Sequence, residues 1–290
     1  NLDVPLNDYT ATVIGMTRDD ISFDQLLYGD IVYTAAAGTG VAPYSLDDND
    51  HYLNFEDQGL SYQNQLQQST QTAASGIVEP AGVFSLRAWG EAYYSAGTNR
   101  RPIRFASMTF LCRDMEQLSD VTRSDAFVRR DVDRAPGGDS KAFRNKCAGC
   151  HSGMDPLSKA FAYYDFVDGS LLYTPGQIPE KVNRNGSTFP AGYITDDDSW
   201  MLLWHEGQNA SVGWNGATEG AGAASFGQMI SETDAFPLCM AQRVFNKVCL
   251  RGPASQAEVT AIEAISTDFK ENGMAMKDLF AGAAEICITP

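Results

Sequence analysis

What this 290-residue chain has little of narrows the field first. No apolar stretch approaches the ~18–20 residues that a helix needs to span a membrane, so no transmembrane segment is expected. Basic residues are outnumbered, with 21 Lys and Arg against 37 Asp and Glu. A net charge of −16 argues against nucleic-acid binding, where affinity comes from cations on the phosphate backbone. Histidine is scarce: His51, His151 and His205 complete the set, which leaves little for a His-based catalytic pair. Residues 213–227 hold five glycines but read as a loop, without the strand-before, helix-after setting of a nucleotide-binding turn. No internal repeat is visible. The chain opens on Asn1, not Met, with no charged-then-apolar leader, so removal of a signal peptide or trimming of a longer precursor is expected.

The composition, 43% hydrophobic and 20% charged, is that of a folded chain rather than a disordered one. Its length allows one large domain or two modest ones. Residues 1–80 read as loop-rich, and the polar run 63–71 reads as a solvated surface segment. From Ala81 the spacing of Val83, Leu86, Ala92 and Tyr93 predicts a helix ending near Gly97. Pro102 opens a second, with Met108, Leu111, Met115 and Leu118 at helical intervals. Pro136-Gly137-Gly138-Asp139 is a break, and Asp139 is placed to cap a short helix over 140–146. Asp155-Pro156 reads as an N-cap and first-turn proline, opening a helix with Leu157, Phe161 and Tyr164 on one side. Residues 168–200 are turn-rich. Helical spacing returns over 237–249, 256–270 and 276–285. The acidic clusters at 47–50 and 196–198 lack the spacing and glycine of a calcium loop and read as solvated turns.

Four of the six cysteines, Cys112, Cys239, Cys249 and Cys287, are scattered singly. An even number of scattered cysteines in so acidic a chain points to two disulfides and an oxidising compartment. If 237–249 is one helix, Cys239 and Cys249 lie ~15 Å apart along it. Disulfides need Cα atoms within ~7 Å, so that pairing is excluded. Cys112–Cys239 with Cys249–Cys287 is the favoured set, and Cys112–Cys249 with Cys239–Cys287 is the alternative.

The other two form Cys147-Ala148-Gly149-Cys150-His151, the attachment pattern of a c-type haem. Two thiols at this spacing reach the two vinyl groups of one porphyrin, and the adjacent histidine stands over the iron as proximal ligand. A structural zinc site would want a second close pair of ligands, which the scattered cysteines do not supply. A thioredoxin-like dithiol expects a strand before it, whereas a helix is predicted here.

Asn99-Arg100-Arg101-Pro102, Leu111-Cys112, the Pro-Gly-Gly-Asp break, Cys147–His151 and the run from Gly153-Met154-Asp155-Pro156 to Ala160-Phe161-Ala162-Tyr163-Tyr164 occur in that order. The closing segment with Phe236, Cys239 and Phe245 follows. Together they resemble a family of exported bacterial single-haem cytochrome c-like proteins of uncharacterised role, of the planctomycete type with a C-terminal haem module. The likeness runs over roughly residues 20–290 and is strongest from 98 to 167. It implies one covalent haem c and export to the periplasm or beyond, with no substrate implied; most of that family's upstream portion is missing here. The fold expected is mainly α: a cytochrome c-like helical haem domain over 98–290, with a loop-rich portion over 1–97 packed on it and extended loops.

The far side of the iron then separates an electron carrier from a haem enzyme. His51 is the first candidate for a distal ligand, read as a loop histidine without a packing role. Met201, 50 residues after His151, is the second, and His205 the third. The expected activity is electron transfer with a basic-surfaced redox partner or with copies of the chain itself. A haem enzyme with an open iron face and a haem-bearing subunit of an extracellular assembly are the alternatives.

Overall fold

In the computed structural model, which describes residues 4–288, the chain turns helical almost at once. Asn7 accepts a hydrogen bond from Thr10 N and starts the helix Asp8–Arg18. Asp8, 2% exposed, also serves the distant helix Arg87–Tyr93. Its carboxylate accepts from Arg87 N and Ala88 N at 2.6 and 3.1 Å and from the Tyr44 hydroxyl at 2.8 Å. One buried carboxylate thus takes up orphan amides of a second helix 79 positions away.

The first 80 residues are therefore more regular than a loop-rich reading allows. They contain Asp8–Arg18, Asp50–Asp57 and an antiparallel pair of strands, Val32–Ala35 with Leu66–Ser69, besides shorter helical turns. The polar run 63–71 is correspondingly not a solvated loop. Leu66 is buried while Gln67 and Gln68 face water, so this strand hides little and its composition does not announce it.

The rest is mainly helical, about half of the whole chain being helix. Arg101–Phe110 packs on Ala148–Leu157, into which the largely exposed helix Ser140–Lys146 leads. Ala235–Val248, Gln256–Glu271 and Met276–Ile288 pack on one another behind them. Two further two-stranded pairs, Tyr164–Val167 with Ser170–Tyr173 and Ser199–Met201 with Glu219–Ala221, interrupt the helices. Tyr164, expected on a helix, is thus a strand residue: the helix ahead of it tightens to a 3-10 turn, Ser158–Phe161, and ends. The glycine-rich stretch is a loop only to Thr218. From Gly222 it is the helix Gly222–Ser231, whose Gly227 lets the Leu27 carbonyl approach to where a Cβ would sit 1.9 Å away.

One contiguous core runs from Leu6 to Ala283, so residues 1–97 and 98–290 share an interior. Phe84 sits at the joint. Its ring meets Trp89, Phe110, Phe161 and Phe226 edge-on, with centroids 5.1–6.4 Å apart. Cys112–Cys239 and Cys249–Cys287 are the disulfides, with Cα separations of 5.3 and 5.5 Å. Among the described residues no helix is long and apolar enough to cross a membrane.

Candidate functional site

Asp139 accepts from Lys141 N and caps the short helix Ser140–Lys146. Cys147 closes that helix through its N–H to the Phe143 carbonyl at 2.9 Å and opens Ala148–Leu157. A helix, not a strand, therefore leads into the paired cysteines. At 100° per residue, Cys147, Cys150 and His151 fall within an arc of roughly 100° on one face of the new helix. Cys147 packs against the small buried cluster of Val128, Phe143 and Ala148, as does Val132. Cys150 Sγ lies 3.4 Å from the Met115 carbonyl. Both are half-buried, and they are free thiols where the other four cysteines are paired.

The back of the same helix is closed. Gly153 lies roughly 200° round from His151, and there the fully buried Trp204 ring takes the space a side chain would need: an added Cβ would come within 2.0 Å of it. Gly153→Ala is expected to lower stability by about 1–3 kcal/mol, since the indole has to shift in a packed interior. Thermal unfolding of the variant checks this, and an unchanged midpoint would contradict the packing described.

His151 is held from within its own helix. Its Nδ1 lies 3.0 Å from Asp155 Oδ1, one turn on. Nε2 has no hydrogen-bond partner among the described residues, and the side chain keeps 24% exposure. Asp155 is fully buried and fully used. Oδ1 also accepts from Arg100 Nε at 2.5 Å, while Oδ2 accepts from Arg100 Nη2 at 2.9 Å and Arg129 N at 2.8 Å. Arg100 is gripped on its other side by Asp131, with contacts of 2.5 and 2.7 Å. Burial alone would push the Asp155 carboxyl up, but Arg100 and the His151 hydrogen bond outweigh it and hold the group well below the ordinary Asp value.

The reading of Asp155-Pro156 as an N-cap and first-turn proline is thereby corrected. Both lie in the last turn of Ala148–Leu157, because Asp155 is occupied by His151, Arg100 and Arg129 and not by amides of a following turn. Asp155, Arg100 and Asp131 are functional candidates that motif reading missed. A carboxylate four residues after the histidine on an uninterrupted helix was the available signal.

His51 is corrected too. It stands in the helix Asp50–Asp57, not in a loop, and is only 5% exposed. Its Nδ1 lies 2.5 Å from the Ala42 carbonyl, which can only accept, so that nitrogen carries the proton. Nε2 then accepts from Ala35 N at 2.9 Å. Both ring nitrogens are engaged, leaving no lone pair for iron. Burial, partly offset by the Ala42 hydrogen bond, pushes its pKa down. Met201 is half-buried in the strand Ser199–Met201, opposite Glu219. That strand leads to Trp204, on the closed back of the helix. His205 turns Nδ1 to the Leu202 carbonyl at 2.6 Å and lies 3.5 Å from Glu206. Neither His51 nor His205 shares a hydrogen bond or ion pair with His151 among the described residues, while the strand that carries Met201 packs on the helix Ala148–Leu157.

Cys147, Cys150 and His151 share a face without converging on a point. Among the described residues no group of three or more His, Cys, Asp or Glu is arranged to hold a metal ion. A zinc site would need such a group; a planar ligand bonded at its edge needs only two thiols side by side with a nitrogen between them and the ligand's centre. The acidic turn at 196–198 is engaged by a lysine. Lys159, with a side chain 4% exposed, reaches Asp196 and Asp197 at 2.7 and 2.6 Å, and its one positive charge offsets part of theirs. Compared with protein-family models, curated proteins and solved structures, the chain matches none.

Proposed function

We propose that the chain is an exported c-type cytochrome that carries one haem on Cys147 and Cys150, with His151 as axial ligand, and works in electron transfer. One observation carries this reading: of six cysteines, the two left unpaired are those on the His151 face of one helix, beside an imidazole whose Nε2 is free. The residues present fit the group. Two half-buried thiols are available for thioether bonds, and the Asp155 hydrogen bond fixes the tautomer that presents the Nε2 lone pair. When bound, haem would supply a one-electron couple. The protein's part is to keep the imidazole oriented and to shield the Cys147 side with Phe143, Val128 and Val132. Two disulfides suit an oxidising compartment such as the periplasm or the extracellular space. The net charge of −16 suits steering towards a basic-surfaced partner.

The engagement of His51 elsewhere favours a second reading, a haem enzyme with an open iron face. Intact mass of the protein produced with a cytochrome c maturation system tests the first claim. The expected result is one covalently bound haem, absent from a Cys147→Ser/Cys150→Ser double variant; an unloaded, fully folded protein would refute it. Spectra with carbon monoxide and cyanide then separate the two readings. An unaltered low-spin spectrum fits the carrier, and a high-spin spectrum that changes on ligand addition fits the enzyme.

A further inference from the structure

We infer that Asp155 and Arg100 act as a pair of opposed positioning residues on His151, together setting the reduction potential of the haem that the preceding proposal places there. The inference rests on that proposal and goes beyond it, because it assigns residues that bond neither porphyrin nor iron. It stands on geometry. The carboxylate that meets His151 Nδ1 has no exposure to water, and its other acceptor positions are taken by two Arg100 nitrogens and Arg129 N. It has no freedom to turn away from the imidazole. Arg100, 15% exposed at its side chain, is equally fixed, with Asp131 gripping its far side through both Nη atoms. The order outward from the histidine is therefore anion, cation, anion.

The signs follow from charge. A carboxylate accepting Nδ1–H makes the imidazole a stronger donor through Nε2, and its negative charge favours the oxidised, more positive state of the ligated metal. Asp155 lowers the potential. Arg100 lies next in line, withdraws part of that charge and raises it. In a buried setting such neighbours act with little screening. Asp131 restrains Arg100 in turn, so its removal strengthens the effect of Arg100.

A carboxylate that served only to hold the fold would not produce opposite shifts on removal of the two partners. Spectroelectrochemical titration of the haem-loaded protein and its variants supplies the test. Asp155→Asn keeps the side chain's shape and is expected to raise the potential by about tenfold in the oxidised-to-reduced ratio, about 59 mV for a one-electron couple. Arg100→Gln is expected to lower it by a comparable factor. Should either variant fail to fold, Asp131→Asn, which leaves Asp155 in place, reads the same network by a smaller upward shift. Shifts of the same sign for Asp155→Asn and Arg100→Gln, or no shift in any loaded variant, would overturn the pairing. If the unaltered protein takes up no covalent haem, it is the proposed function that falls.

Discussion

Replacing Cys112 and Cys239 together by alanine is expected to reduce the stability of the fold by about 5 kcal/mol, the loop-entropy value for a cross-link spanning 127 positions. The same reasoning gives about 4 kcal/mol for Cys249–Cys287, which spans 38. The longer link matters more for a second reason. Residues 112–239 enclose Cys147, Cys150, His151 and Asp155, so an unfolded chain without this bond explores far more arrangements of the site. Equilibrium denaturation under non-reducing conditions measures both variants. A smaller loss for the Cys112–Cys239 pair than for Cys249–Cys287 would contradict the ordering.

The second large effect is expected at Asp155. Truncation to alanine leaves Arg100 with one carboxylate instead of two and strips Arg129 N and His151 Nδ1 of a buried acceptor. Removing one partner of a buried ion pair costs about 3–5 kcal/mol. The effect carries a pH signature. The folded-state pKa of Asp155 lies below its ordinary value of 3.8, so its contribution is fully present above that value and is lost as pH falls through the lower folded value. The difference between the unaltered protein and Asp155→Ala should therefore be constant near neutrality and shrink below about pH 4. Denaturation midpoints measured from pH 7 downward check this. A gap that widens on acidification would show that the ionised carboxylate does not stabilise the fold.

Where chain-local rules decide, the structure was legible in the sequence. Asp139 ahead of Ser140–Lys146 behaves as its residue type implies. The helices read at 256–270 and 276–285 are Gln256–Glu271 and Met276–Ile288, because their apolar spacing is uninterrupted. Helix length alone separated Cys239 from Cys249, and the pairing found is the favoured one. Distant partners defeated the same rules elsewhere. Asp8 caps a helix 79 positions away, a fact no window of the sequence contains. Asp155-Pro156 carries two local marks of a helix start, but the demand of Arg100, Arg129 N and His151 for that carboxylate overrides them. His51 looked idle because its partners, Ala35 N and the Ala42 carbonyl, are backbone groups without a sequence signal. Cys147, Cys150 and His151 were legible as a motif; the helix Ala148–Leu157 that puts them on one face, and the chain of Asp155, Arg100 and Asp131 behind it, were not.

The helix Met276–Ile288 also touches the helix Asp8–Arg18. Lys277 Nζ donates to the Arg18 carbonyl and to Asp20, 257 positions earlier, while Phe23 N donates to the Met274 carbonyl. During synthesis the helix Asp8–Arg18 thus waits for residues 274–277 before these neighbours exist. Contacts of such separation form late, since the closure entropy has to be met before they contribute. Until then the Arg18 carbonyl at the end of that helix lacks its Lys277 partner.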